Sequence, residues 1–120
     1  MRNQKSVLGL CEGRHILPTE VTGFIFPQSV NPTDLKGMET TCNSKLNGCD
    51  YLELYVTGLT VALTTVINYC CKKHIALILW HYDRDNNNYY CQPIFTQVDC
   101  DLLQEAGYLH NSEKFEKRCM

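Results

Sequence analysis

The stretch that decides the fold is Tyr51-Leu-Glu-Leu-Tyr-Val-Thr-Gly-Leu-Thr60, running through 61–73 into Ile75-Ala-Leu-Ile-Leu-Trp-His-Tyr-Asp-Arg84. A polar break over 85–88 follows, and then Tyr89-Tyr-Cys-Gln-Pro-Ile-Phe95. Apolar residues first alternate, then recur with helical spacing, then run almost continuously. That succession predicts strand, tight turn at Thr57-Gly58, helix, strand, hairpin and strand. Two strands joined by a single helix of this length form a right-handed βαβ unit, which makes them parallel neighbours. The expected fold class is therefore α/β: a small Rossmann-like domain with a mostly parallel central sheet, its βαβ unit followed by a β-hairpin.

Within that unit Thr60 reads as the helix N-cap. Leu63, Val66, Ile67, Cys70 and Cys71 recur as a core-facing stripe. Lys72, Lys73 and His74 close the helix where cations favour its dipole. Upstream, Val21-Thr-Gly-Phe-Ile-Phe26 reads as a short strand ended by Pro27. Val30-Asn-Pro-Thr-Asp-Leu-Lys-Gly37 reads as a turn into a brief helix capped by Asn31 or Thr33. Residues 38–50 are polar and read as helix fraying into loop. Residues 1–13 read as a weakly ordered lead or a short edge strand, 99–107 as a short helix stopped by Gly107, and 111–120 as a charged, poorly ordered tail.

With 120 residues the chain makes one domain with one core. A formal net charge of −2 leaves no broad basic surface, which argues against nonspecific duplex binding. A compact anionic ligand is compatible with that charge. No apolar run approaches the ~20 residues of a membrane span, and the first residues lack the apolar core of a secretory signal. The eight cysteines show no C-x2-C pairing, so free cytosolic thiols and a cytoplasmic location are expected rather than a disulfide frame or a zinc site. Arg14, His15 and His110 have no companion signal and read as surface residues.

Two places carry chemistry. A turn such as Thr57-Gly58-Leu59-Thr60 aims backbone N–H groups and the positive end of a helix at what lies beyond the strand ends, which suits a phosphate. The glycine is equally explained by a backbone angle alone. The Gly-Lys-Ser/Thr signature of a nucleotide triphosphatase loop is absent. The second place is His81-Tyr82-Asp83-Arg84. Alternation puts His81 and Asp83 on one face, where the carboxylate could orient the imidazole, and Tyr82 and Arg84 on the other. The bland reading is a solvated polar hairpin. Trp80, Tyr82, Tyr89 and Tyr90 read as core or interface aromatics, with stacking on an adenine as the chemical alternative.

At these residues the chain resembles the small CRISPR-associated ring nucleases of type III systems, which degrade cyclic oligoadenylate, mostly cyclic tetra-adenylate. One branch has a strand, a Gly-containing turn, a helix ending in His, a strand, then Tyr-Asp-Pro-Arg opening a hairpin. Here the matching pieces are Tyr55-Val-Thr-Gly58, His74 and Tyr82-Asp83-Arg84; Asn31-Pro-Thr-Asp-Leu35 resembles the segment before the central unit. The likeness covers about residues 21–95. The Pro between Asp and Arg is missing, and nothing beyond Phe95 has a counterpart.

The resemblance implies a homodimer or larger assembly around a two-fold symmetric ring. It implies attack of a ribose 2′-hydroxyl on the adjacent phosphate, without a metal, although some members depend on manganese and an optional ion is compatible with the reading. His74 and His81 would move protons, Asp83 orient, and Arg84 or Lys73 pair with phosphate. Thr57, Gly58, Leu59 and Thr60 would hold phosphates, with Tyr82 beside the ligand. Two rivals stand beside this: a protein that sequesters the cyclic nucleotide, as in viral counter-defence, and a plain interaction module whose hairpin aromatics bury a partner.

Overall fold

The computed structural model describes residues 4–13 and 17–97. The expected helix over 99–107, the tail and residues Arg14, His15 and His110 lie outside them. Among the described residues the elements run β1 (Lys5–Cys11), β2 (Phe24–Phe26), α1 (Leu35–Lys45), β3 (Tyr51–Tyr55), α2 (Thr60–Lys73), β4 (Ala76–Asp83) and β5 (Asn88–Phe95). They build one five-stranded sheet in the order β2-β1-β3-β4-β5. The first four strands are parallel, and β5 returns antiparallel to β4. This is the α/β, Rossmann-like arrangement expected, with the βαβ unit and the hairpin in their expected places.

Register fixes the faces. Leu52 and Leu54 of β3 pair with Leu77 and Leu79 of β4, and Leu54 pairs with Leu8 of β1. These leucines share one core with Met38, Cys42 and Leu46 from α1 and its end, and with Ala62, Val66 and Cys70 of α2. The two helices pack against each other. They lie on one side of the sheet because both crossovers, β2 to β3 and β3 to β4, step in the same direction with the same hand. On α2 the buried positions are Ala62, Val66, Tyr69, Cys70 and Cys71. Leu63 and Ile67 are only partly buried at its flank. The apolar stripe is thus turned by about one residue from the expected one, since a 3.6-residue period defines a face better than its centre line.

Several local expectations change. Lys5–Cys11 is neither a loose lead nor an edge: it is hydrogen-bonded on both sides, by β2 and β3. The first helix continues to Lys45 instead of fraying at Met38, because Met38 and Cys42 anchor one face in the core. Its cap is Asp34, whose Oδ1 accepts from Gly37 N at 3.0 Å. Asn31 instead closes the preceding turn by accepting from Thr33 N. Thr60 is the first residue of α2; the cap position is Leu59, in extended conformation, with no side-chain cap bond. Cys11, Cys42, Cys49 and Cys70 are buried thiols and Cys91 an exposed one, but Cys71 is disulfide-bonded. Sequence spacing detects local pairs only, whereas a disulfide needs approach in space.

The carboxyl ends of β1 and β3 are spliced by one side chain. Thr57, 9% exposed, donates its hydroxyl to Cys11 O at 2.8 Å and accepts from Cys11 N at 3.2 Å. Gly58 follows at φ 89°. A Cβ there would stand 3.1 Å from Cys11 Cβ and 3.2 Å from its Sγ, so both conformation and space call for glycine. Replacing Thr57 by Val keeps the shape and leaves both backbone groups of Cys11 without this partner. The expected loss is about 1–3 kcal/mol of unfolding free energy, read from urea denaturation midpoints, with Thr57→Ser restoring most of it. Equal midpoints for wild type and Thr57→Val would show that the splice contributes nothing.

Candidate functional site

Every parallel strand points its carboxyl end at the same edge. Strand order reverses there, since β2 lies to one side of β1 and β3 to the other. Open α/β sheets hold their ligands at such a switch point. A crevice of about 800 Å³ opens at this place, lined by residues 11–13 at the end of β1, 28–31 after β2 and 57–60 after β3. The first turn of α2 enters it. Its leading N–H groups have no partners inside the helix, and Leu59 offers no side-chain acceptor. Glu12, Gln28 and Asn31 are exposed around the mouth.

Thr57, Gly58, Leu59 and Thr60 therefore line one crevice, as expected of a cradle. The Thr57 hydroxyl is spent on the Cys11 backbone, however, which leaves Thr60 as the open hydroxyl of this turn.

The second group lies on the hairpin. Because β3 ends opposite Trp80, His81, Tyr82 and Asp83 project past the parallel edge, paired only with β5. His81 Nε2 lies 2.7 Å from Gln92 Oε1, and its ring packs at 5.4 Å on Tyr90. Asp83 does not orient His81. Its two oxygens accept from Asp85 N at 3.1 Å and Asn86 Nδ2 at 2.7 Å, tying the turn. Arg84 belongs to that turn and not to a strand face. Tyr82, Asp83, Arg84, Asp85 and Tyr90 surround a shallow concavity of about 600 Å³.

His74 and Lys73 are not at this edge. α2 begins at the carboxyl edge and runs back across the sheet, and its 14 residues rise about 20 Å. His74 ends it at φ 58°, directly before β4, whose first residue pairs with Tyr51 at the start of β3. A βαβ unit necessarily puts the two ends of its helix at opposite edges. Lys73 lies over the Tyr69 ring at 5.9 Å.

The face away from the helices holds a polar knot. Glu53 accepts from Trp80 Nε1 at 3.1 Å, Tyr51 OH at 3.2 Å and Lys5 Nζ at 3.1 Å. Burial pushes this carboxyl upward, but the bonds from Lys5 and Trp80, the Lys5 charge and the Tyr51 hydroxyl outweigh it and hold the group below its ordinary range. Trp80 stacks on Tyr55 at 5.7 Å, Tyr55 meets Tyr89 edge-on at 5.0 Å, and Tyr89 meets Tyr82 at 5.3 Å. Burial raises the hydroxyls of Tyr55 and Tyr89 above their usual range.

Sequence reading missed Glu12, Gln28 and Glu53. The Tyr51-x-Glu53-x-Tyr55 alternation could have signalled the last, and the first two follow once 5–11 is read as a strand. Among the described residues no group of three or more His, Cys, Asp or Glu could hold a metal ion, and no helix is long and apolar enough to cross a membrane. Neither family models, nor curated proteins, nor solved structures provide a match to the chain.

Since the Glu53 carboxyl is depressed in the folded state, its stabilising contribution is present above its unfolded value, near 4.5, and is lost as pH falls through the lower folded value. Glu53→Gln should lower stability at neutral pH and flatten the acid limb below about pH 4.5. Thermal midpoints measured from pH 7 to pH 3 would show it; parallel curves for the two proteins would contradict it.

Proposed function

We propose that the chain binds cyclic oligoadenylate, cyclic tetra-adenylate first among ring sizes, at the carboxyl edge of its sheet and opens the ring. The observation that carries this reading is the switch-point crevice entered by the uncapped start of α2, with an imidazole-bearing hairpin projecting from the same edge. Phosphates meet the N–H groups and hydroxyl at the start of α2. Glu12, Gln28 and Asn31 offer acceptors and amides to ribose hydroxyls and base edges.

His81 is the imidazole available for proton transfer at this edge among the described residues. With Nε2–H donating to Gln92, Nδ1 presents its lone pair to a 2′-hydroxyl. The 2′-oxygen attacks the adjacent phosphorus, and His81 takes the 2′-proton. The 5′-oxygen leaves, and the imidazolium returns that proton to it. The products are a 2′,3′-cyclic phosphate and a free 5′-hydroxyl. Arg84 and the α2 N–H groups offset the developing charge. No metal takes part in this scheme, and manganese would be an accessory. Two chains around a two-fold ring would each present one such edge, and light scattering above the 13.8 kDa chain mass would accord with that. A cytoplasmic location goes with a nucleotide messenger. The thiols favour it, and the Cys71 disulfide stands against it.

Sequestration without cleavage is favoured by one observation: Asp83 is engaged in the turn and leaves His81 without a carboxylate. Incubation with cyclic tri-, tetra- and hexa-adenylate, followed by product separation, tests both readings. Wild type should open the ring. His81→Ala should slow opening by ~10²–10⁴ with binding retained, and His74→Ala should leave it unchanged. Tight binding without products over hours would favour sequestration, and no binding of any ring would remove both.

A further inference from the structure

We propose that Tyr90 is a stacking platform for an adenine of the bound nucleotide. This rests on the ligand reading above and adds a residue that reading does not require. Among the described residues the exposed large hydrophobic side chains are Leu35, Tyr82 and Tyr90, and Tyr90 is the most exposed of the two aromatics at 55%. Both tyrosines lie on the part of the hairpin that projects past the parallel edge.

The surroundings of Tyr90 point to a base. One side of its ring is occupied by the tilted His81 imidazole at 5.4 Å, and the ring borders the concavity that also holds Arg84 and Asp85. A purine on the open side would continue a stack of His81, Tyr90 and base. Arg84, at the same concavity, is a partner for the phosphate next to that base. Asp85 is an acceptor for an exocyclic amine.

The platform is also rigid. β5 is held against β4 with Tyr90 opposite His81. Gln92 fixes the His81 ring from the same strand. Tyr82 is tied to Asn87 and wedged against Tyr89. A preset aromatic surface loses little rotamer freedom when a base lands on it. Tyr82, whose ring contacts and hydroxyl are both used inside the hairpin, serves chiefly to brace it.

The test uses the full chain and cyclic tetra-adenylate carrying one 2-aminopurine in place of adenine. Wild type should quench the probe on binding. Tyr90→Ala should bind the ring roughly 5- to 150-fold more weakly, the usual effect of removing one stacked base contact, and lose most of the quenching. Tyr90→Phe should retain both, Tyr90→Leu should behave like Ala, and thermal midpoints should hold because the side chain is largely exposed. Tight, quenched binding by Tyr90→Ala would overturn the platform and leave the ligand reading standing. Recovery by Leu would replace stacking with simple apolar contact and also overturn it. Failure of wild type to bind any ring would overturn both.

Discussion

One hydroxyl ties together the carboxyl ends of β1 and β3. Thr57 Oγ1 both donates to and accepts from the backbone of Cys11, so the last residue of β1 is paired by a side chain where the β3 ladder has ended. That contact brings the chain leaving β3 against β1, which is why Gly58 must turn with positive φ in contact with the Cys11 side chain. The turn then sets the direction of α2, α2 sets the start of β4, and β4 carries the hairpin beyond the edge. Neutral hydrogen bonds contribute little each, but a buried pair left unmade is expensive. The geometry of the whole carboxyl edge follows from this junction.

The opposite face gives the hairpin its stiffness. A two-stranded projection is marginal by itself. Here it is continuous with an aromatic chain from Trp80 through Tyr55 and Tyr89 to Tyr82, and Trp80 is pinned by Glu53. The irregular pairing at Leu77 and Ile78, beside Pro93 on β5, lets the edge strand depart from a regular ladder. These aromatics and a satisfied carboxylate thus brace the hairpin that carries His81 and Tyr90.

The fold was legible because period and length agreed over 51–95: alternation, helical recurrence and an apolar run each admit one element there. The turn at Gly58 was legible for the same reason, since a Gly between strand and helix has one place to be. What was not legible was long-range. Gly9, Leu10 and Cys11 are buried only because β2 and β3 flank the strand, and a short apolar run interrupted by Gly9 gives a weak local signal. His74 lies at the edge opposite Gly58, as any βαβ unit requires of the far end of its helix; a helix ending in His carries no signal for the edge at which it ends. Asp83 looked like a partner of His81 by alternation, but a short polar turn offered its carboxylate nearer donors. Glu12 and Gln28 come from loops that only the strand order brings together.

The claim that a nucleotide phosphate meets the start of α2 at the switch point is tested most directly by following backbone amides of labelled protein during titration with cyclic tetra-adenylate. The account predicts that the largest shifts fall on Gly58, Thr60, Val61 and Ala62, accompanied by the hairpin residues around His81 and Tyr90, with Asp50 and Ala76 at the opposite edge unmoved. Shifts centred on Asp50, His74 and Ala76, or an unchanged spectrum at saturating ligand, would contradict it.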